Sequence, residues 1–259
     1  MAIALVMRKN DNNMSNTVWL KPPFQPRLGD DRVHVWCASL KLPTNKIARL
    51  TALLSSNELA RADKFYFPEH KERFIAARGI LRQLLGSYLK ISPKEIEFEY
   101  SDRGKPRLAS SMVNSSLQFN VSHSLDYALY GFGNNYLIGV DLEYLREMED
   151  VVELAKRFFT HREYQLITNL SGKEQQKAFF QLWTAKEAYL KAIGTGLSDS
   201  LTDIELTSDG INLKLQAING NVSDLSDWSM YHFAPAANYV STIIVNTRIP
   251  KQQIDFWSW

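Results

Sequence analysis

Two short runs of this 259-residue chain carry acids and bases at spacings that suit phosphate chemistry. In Ile138-Gly139-Val140-Asp141-Leu142-Glu143 one apolar residue separates two carboxylates, so a strand would present both on one face. Hard cations favour such oxygens, and Mg2+ is commonly held by one or two carboxylates together with substrate phosphates. In Trp183-Thr184-Ala185-Lys186-Glu187-Ala188-Tyr189-Leu190-Lys191 a helix would set Glu187 and Lys191 on one face, a turn apart. Together the runs offer three carboxylates and neighbouring lysines, which suits a cation holding a pyrophosphate while a hydroxyl attacks it. Each feature has an ordinary counterpart. Glu97/Glu99 and Asp203/Glu205 are also acid-x-acid pairs, and a Glu-to-Lys pair at i and i+4 is a common surface ion pair. What distinguishes Asp141 and Glu143 is their apolar strand and Gly139, which permits close backbone approach.

The elements that must position these residues form an α+β pattern. Residues 1–31 read as an irregular lead-in, with Pro22, Pro23 and Pro26. Residues 32–133 form a first α+β half. Val33, Val35 and Cys37 mark a strand, a short helix follows over 46–54, and Ser55 with Glu58 resembles a capping box. Pro68 opens a helix in which Phe74, Ala77, Leu81, Leu84, Leu85 and Tyr88 recur at spacings of three and four. Its flank carries Arg78 and Arg82, a like-charge pair that repels unless an anion or carboxylate sits nearby. Strands are expected at 96–100, 117–121 and 126–132, with a turn at Asp102-Arg103-Gly104-Lys105-Pro106.

Residues 134–259 form a second α+β half with the same grammar and no residue-level repeat. A strand over 136–142 leads to a helix at 151–159, and Thr160 with Glu163 makes a second capping box. A long helix over 173–193 is closed by Gly194 and Gly196, and short strands follow at 203–207, 211–216, 228–233 and 239–246.

Composition narrows the function. A hydrophobic share of 45% supports a sizeable core, and a net charge of +2 creates no global demand for nucleic acid or an anionic membrane. Any basic site must be local. Cys37 is the only cysteine, which excludes an internal disulfide and Cys-based zinc sites. The apolar run Ala2 to Met7 is too short for a signal sequence, and no stretch approaches the roughly 20 apolar residues that cross a bilayer. The expected location is the cytoplasm. A general magnesium-dependent phosphoryl or nucleotidyl transferase finds no Gly-x4-Gly-Lys-Ser/Thr loop in support.

The full wording of the two runs resembles the 4′-phosphopantetheinyl transferases of the Sfp type, whose hallmark is an (I/V)-G-(I/V)-D-x-E strand followed some forty residues later by W-x-x-K-E-(A/S)-x-x-K. Ala155-Lys156-Arg157-Phe158-Phe159-Thr160 with Glu163, Gly104-Lys105-Pro106 and Phe119-Asn120-Val121-Ser122-His123-Ser124 also fit, in order, over roughly residues 55–205. The resemblance implies a monomer of two similar halves related by a pseudo-twofold, with the active site between them. It implies transfer of 4′-phosphopantetheine from coenzyme A, a co-substrate, to a serine of an apo acyl or peptidyl carrier protein, releasing 3′,5′-ADP. Asp141, Glu143 and Glu187 would hold Mg2+, with Mn2+ as an alternative, and Glu187, Lys191 and His123 would be the catalytic set. Coenzyme A would lie against Arg61, Arg103, Gly104, Lys105, Pro106, Asn120, Ser122, His123, Asp141, Lys186, Glu187 and Lys191. Dispersed basic residues and balanced charge lead to the expectation of no nucleic acid, and the lack of a spanning stretch to that of no membrane. Some members place a further basic residue where Glu58 stands, so one phosphate contact is expected either to be missing or to be supplied by Arg73 or Arg78. Phe158, Phe159 and Arg157 are candidates for a carrier-docking patch.

Overall fold

The computed structural model describes residues 17–23, 25–101, 104–112, 116–195, 199–208, 213–221 and 225–259. Element order repeats. The first half runs β1 (Val33–Ser39), α1 (Thr44–Thr51), α2 (Ser56–Ala62), α3 (Pro68–Leu89), β2 (Phe98–Tyr100), β3 (Pro106–Leu108), β4 (Leu117–Ser124) and β5 (Tyr127–Asn134). The second runs β6 (Ile138–Tyr144), α4 (Val151–Phe158), α5 (His161–Thr168), α6 (Gly172–Ile193), β7 (Ile204–Ser208), β8 (Leu213–Ile218), β9 (Ser229–Phe233) and β10 (Tyr239–Val245). Pairing repeats too. β1 is antiparallel to β5 and β5 to β4, just as β6 is antiparallel to β10 and β10 to β9. In each half a 22-residue helix, α3 or α6, covers its own sheet.

Local chemistry explains the helices. The side chain of Ser55 accepts from the backbone of Glu58 and the Glu58 carboxylate accepts in return; Thr160 and Glu163 do the same for α5. Pro68 occupies the first turn of α3, where its missing N–H costs nothing. Gly194, at φ 81°, closes α6 in the left-handed conformation that glycine adopts without strain.

Two expectations change. The last strand, β11 (Ile254–Ser258), leaves the second half and pairs parallel with β1, giving the first sheet the order β11-β1-β5-β4. The second half therefore does not run unbroken from 134 to 259. The lead-in is also not wholly irregular. Leu20 donates its N–H to the Phe256 carbonyl and accepts from Ser258, and Trp19 packs against Phe233 and Phe256. Residues 1–16 and 24 lie outside the described residues. Between the sheets, Val33, Val35, Cys37 and Leu129 meet Ile138, Val140, Leu142 and Ile243 in one shared apolar core.

Candidate active site

The site forms where β4, β6 and α6 meet. An ideal Cβ added to Gly139 would stand 1.9 Å from the Ala188 carbonyl oxygen and 2.8 Å from the Ala192 nitrogen, so α6 lies directly on the backbone of β6. Only glycine allows that approach. It sets Asp141, two residues along β6, beside Glu187 and Lys191.

β4 closes the opposite edge of β6 with side chains in place of a backbone ladder. Asn120 Oδ1 accepts from Val140 N at 2.9 Å, Ser122 Oγ from Leu142 N at 3.2 Å and Ser124 Oγ from Tyr144 N at 3.1 Å. The period of two follows from strand geometry, which sends alternate residues of β4 toward β6. The two serine hydroxyls then donate onward, Ser122 to Asp141 Oδ1 at 3.0 Å and Ser124 to Glu143 Oε2 at 3.1 Å. Thus Asn120 and Ser122, expected beside the phosphates, are buried and tie the two halves together. This Asn-x-Ser-x-Ser alternation was visible in the sequence, but its partner strand was not.

Lys191 Nζ reaches across from α6 to Asp141 Oδ1 at 2.6 Å and to Ser122 Oγ at 2.9 Å. Its ion pair is therefore with the strand acid and not the routine i, i+4 pair with Glu187. Asp141 and Glu187 are buried, and each keeps one carboxylate oxygen, Asp141 Oδ2 and Glu187 Oε1, sealed from solvent with no hydrogen-bond partner. Burial pushes the Glu187 carboxyl up to about 7, the Asp141 and Glu143 charges add to this, and Lys191 opposes it. Glu143 is raised as well, first by burial and then by Asp141.

Among the described residues, no group of three or more His, Cys, Asp and Glu side chains stands ready to enclose a metal ion by itself. The reason is local: Asp141 Oδ1 is held by Lys191 and Ser122, and Glu143 Oε2 by Ser124. The chemistry still fits a hard divalent cation. Orphaned buried carboxylate oxygens are costly unless something meets them, the donors are all oxygen, and Mg2+ draws part of its shell from substrate phosphates.

The remaining expected residues divide. Arg61 is exposed, with its guanidinium 5.5 Å from the Phe74 ring centroid. His123 lies on the side of β4 facing α3, and the desolvating cleft, then the charges of Lys191, Arg78 and Arg61, lower its pKa. Gly104, at φ 79°, makes the turn that leads to Pro106, while Arg103 lies outside the described residues. Lys105 does not point into open space: its Nζ donates to the carbonyls of Lys191 and Ala192 at the C-terminal end of α6. Lys186 is a correction. It is fully buried, 2.5 Å from Glu163 Oε2 and 2.9 Å from the Leu201 carbonyl oxygen, and so is spent inside the second half. Phe159 is also core, while Phe158 is only partly buried and carries Arg157 over its ring at 4.8 Å.

Two α+β halves with the same strand pairing thus bring two acids and a lysine together at their seam. Comparison with known proteins gives the family. The model of the 4′-phosphopantetheinyl transferase superfamily matches residues 137–244, and that of the 4′-phosphopantetheinyl transferase N-terminal region matches residues 42–131. The chain is similar to the 4′-phosphopantetheinyl transferase HetI of Nostoc sp., with 44% identity over 90% of this chain and 95% of that protein. It is also similar to slr0495 of Synechocystis sp., with 42% identity over 66% of this chain and 68% of that protein. The chain belongs to the 4′-phosphopantetheinyl transferase family.

Proposed function

We propose that this enzyme transfers the 4′-phosphopantetheine group of coenzyme A to a serine hydroxyl of an apo acyl or peptidyl carrier protein. The bond formed joins the serine oxygen to the phosphorus bearing pantetheine. The bond broken frees 3′,5′-ADP. The observation that carries this reading is the three-way contact of Lys191, Asp141 and Ser122, which brings the strand acids and the helix lysine together at the seam of the halves.

In this reading Asp141, Glu143 and Glu187 hold Mg2+, with Mn2+ as the alternative, together with the diphosphate. A cation bound there would supply neutralisation of charge on the diphosphate under attack. The other steps fall to side chains. Glu187 also takes the proton of the attacking serine, through a carboxylate oxygen not turned to the cation or through a water. Lys191 Nζ, already aimed into the seam, donates to the departing phosphate oxygen and stabilises its charge. His123, Arg61, Gly104 and Pro106 line the nucleotide's approach on the α3 side. Lys105 positions this side by fastening its turn to the end of α6.

The protein acts as a monomer in the cytoplasm, meets its carrier transiently, and needs neither nucleic acid nor a membrane. No helix among the described residues is long and apolar enough to cross a membrane. The test is mass spectrometry of apo carrier proteins incubated with the enzyme, Mg2+ and coenzyme A. The expected result is a phosphopantetheine mass increment on one serine with stoichiometric 3′,5′-ADP. No increment on acyl, peptidyl or aryl carriers refutes the assignment.

A further inference from the structure

A row of three residues crosses the second sheet beneath α6. Asp141 of β6 stands opposite Thr242 of β10, and Thr242 stands opposite His232 of β9. Directly opposed residues share one face of a sheet. α6 covers this face: Lys191 reaches Asp141 Oδ1, and Thr184 Oγ1 lies 2.9 Å from Thr242 Oγ1. Thr184, Glu187 and Lys191 stand at i, i+3 and i+7 of α6, so a single stripe of the helix meets the row. Both threonines are fully buried.

The bonds around these hydroxyls assign their protons. Thr184 Oγ1 donates to the Gln181 carbonyl oxygen at 3.2 Å, which uses its one proton. Thr242 therefore donates to Thr184. Burial holds the His232 ring down to about 4, so at neutral pH it carries one ring proton. That proton sits on Nδ1, 2.9 Å from Thr242 Oγ1, and is donated to Thr242. The other nitrogen agrees: Nε2 is sealed from solvent with no hydrogen-bond partner, and buried N–H groups are rarely left orphaned. The chain thus runs one way, from His232 through Thr242 and Thr184 to the helix backbone. It leaves Thr242 no proton for Asp141, whose Oδ2 is buried without a donor. Opposed residues have Cβ atoms about 4.5–5.5 Å apart, within reach of a hydroxyl. A carboxylate is the stronger acceptor, so an unrestrained Thr242 hydroxyl would turn to it.

We infer that His232 is a positioning residue for the cation: by donating to Thr242 it holds that hydroxyl's own proton on Thr184 and keeps Asp141 Oδ2 open to the metal. The inference rests on the reading of Asp141 as a cation ligand. His232 itself touches neither cation nor substrate.

Titration of the full chain with Mn2+ in the presence of coenzyme A, with the unbound ion read by electron paramagnetic resonance, tests it without a carrier protein and without turnover. His232→Phe should weaken Mn2+ binding by about 5- to 20-fold, the difference between a hydrogen bond to a charged acceptor and one to a neutral acceptor. His232→Asn, whose amide nitrogen takes the place of Nδ1 as donor, should stay within about threefold of wild type. Thr184→Val removes the acceptor of the Thr242 proton with little change of shape; it should weaken binding as His232→Phe does, and it serves if His232→Phe fails to fold. Adding Thr242→Val to either protein should restore the affinity, because no hydroxyl then remains to occupy Asp141. A merely loosened core would be weakened further by that addition. Undiminished affinity in both His232→Phe and Thr184→Val, or a loss that Thr242→Val does not reverse, overturns the inference and leaves the cation site standing. Wild-type binding that is absent, or that Asp141→Asn leaves unchanged, overturns both.

Discussion

Gly139 offers the sharpest test of how the fold makes the site. Replacing it with alanine puts a methyl 1.9 Å from the Ala188 carbonyl oxygen, with the Ala192 nitrogen at 2.8 Å and the Ala188 carbonyl carbon at 2.9 Å. All three are helix backbone atoms that no rotamer change can move. Carbon atoms do not approach closer than 3.0 Å, so β6 and α6 must separate by at least about 1.1 Å locally. Overpacking a core costs roughly 1–3 kcal/mol, and a clash with backbone belongs at the upper end, about 3 kcal/mol. The same displacement pulls Asp141 away from Lys191, now 2.6 Å apart. A misplacement of about 1 Å costs on the order of 100-fold in rate. Gly131→Ala is the control, because its methyl would meet side-chain tips, Val140 Cγ1 at 2.8 Å and Ile138 Cδ1 at 3.0 Å, which can give way at a cost of about 1 kcal/mol. Urea unfolding and kcat/KM for carrier modification measure both effects. A Gly139→Ala protein within about 0.5 kcal/mol and threefold of wild type would refute the account.

Asp141→Asn and Glu187→Gln should each lower transfer by on the order of 1,000-fold, typical for the loss of a group acting in the transition state, with an unchanged circular dichroism spectrum; retained activity in either removes that residue from the site. Glu163→Gln or Lys186→Met should cost about 3–5 kcal/mol in urea unfolding, since each strands a buried charge, and the combined Glu163→Gln/Lys186→Met protein, which strands neither charge, should be more stable than Glu163→Gln alone. His232 and His34 are both held down to about 4 by burial, so between about 4 and 6.5 the unfolded chain binds protons that the native one does not. Stability should therefore fall as pH drops through that window, by roughly 3 kcal/mol at most for His232, and the fall should shrink in His232→Gln. Because Glu187 sits at about 7, uptake of Mg2+ near neutral pH should release protons, seen as a buffer-dependent heat that is lost in Glu187→Gln.

Much of the fold was legible because its signals are local. Both capping boxes, the Pro68 helix and the Gly194 stop are written in neighbouring residues, and each appears where its chemistry puts it. The return of β11 to β1 was not legible, since a parallel pairing across more than 200 residues leaves no period in the chain. The same limit governed the site. Asp141, Glu143, Glu187 and Lys191 could be named from two motifs, but the choice of Asp141 as the partner of Lys191 depends on how closely α6 lies on Gly139. Arg78 was ambiguous for a related reason: a like-charge pair at i and i+4 signals an anion, and only the packing shows that Glu58 meets half of the demand.

Lys186 shows why a motif must be read around the helix as well as along it. Adjacent residues of an α-helix point about 100° apart, so Lys186 and Glu187 cannot serve the same cleft from consecutive positions. Glu187 turns toward the acids of β6, and Lys186 turns toward Glu163, whose two oxygens also hold the Thr160 and Leu206 N–H groups. One carboxylate thus joins the start of α5, the middle of α6 and the strand β7. The side of α6 opposite the chemistry is anchored by a fully buried ion pair, 2.5 Å long, and that anchor resists rotation of the helix. Rotation is the motion that would carry Glu187 and Lys191 out of the seam. The lysine and glutamate at the centre of the helix motif therefore divide their work: Lys186 fixes the angle of the helix, and Glu187 uses it.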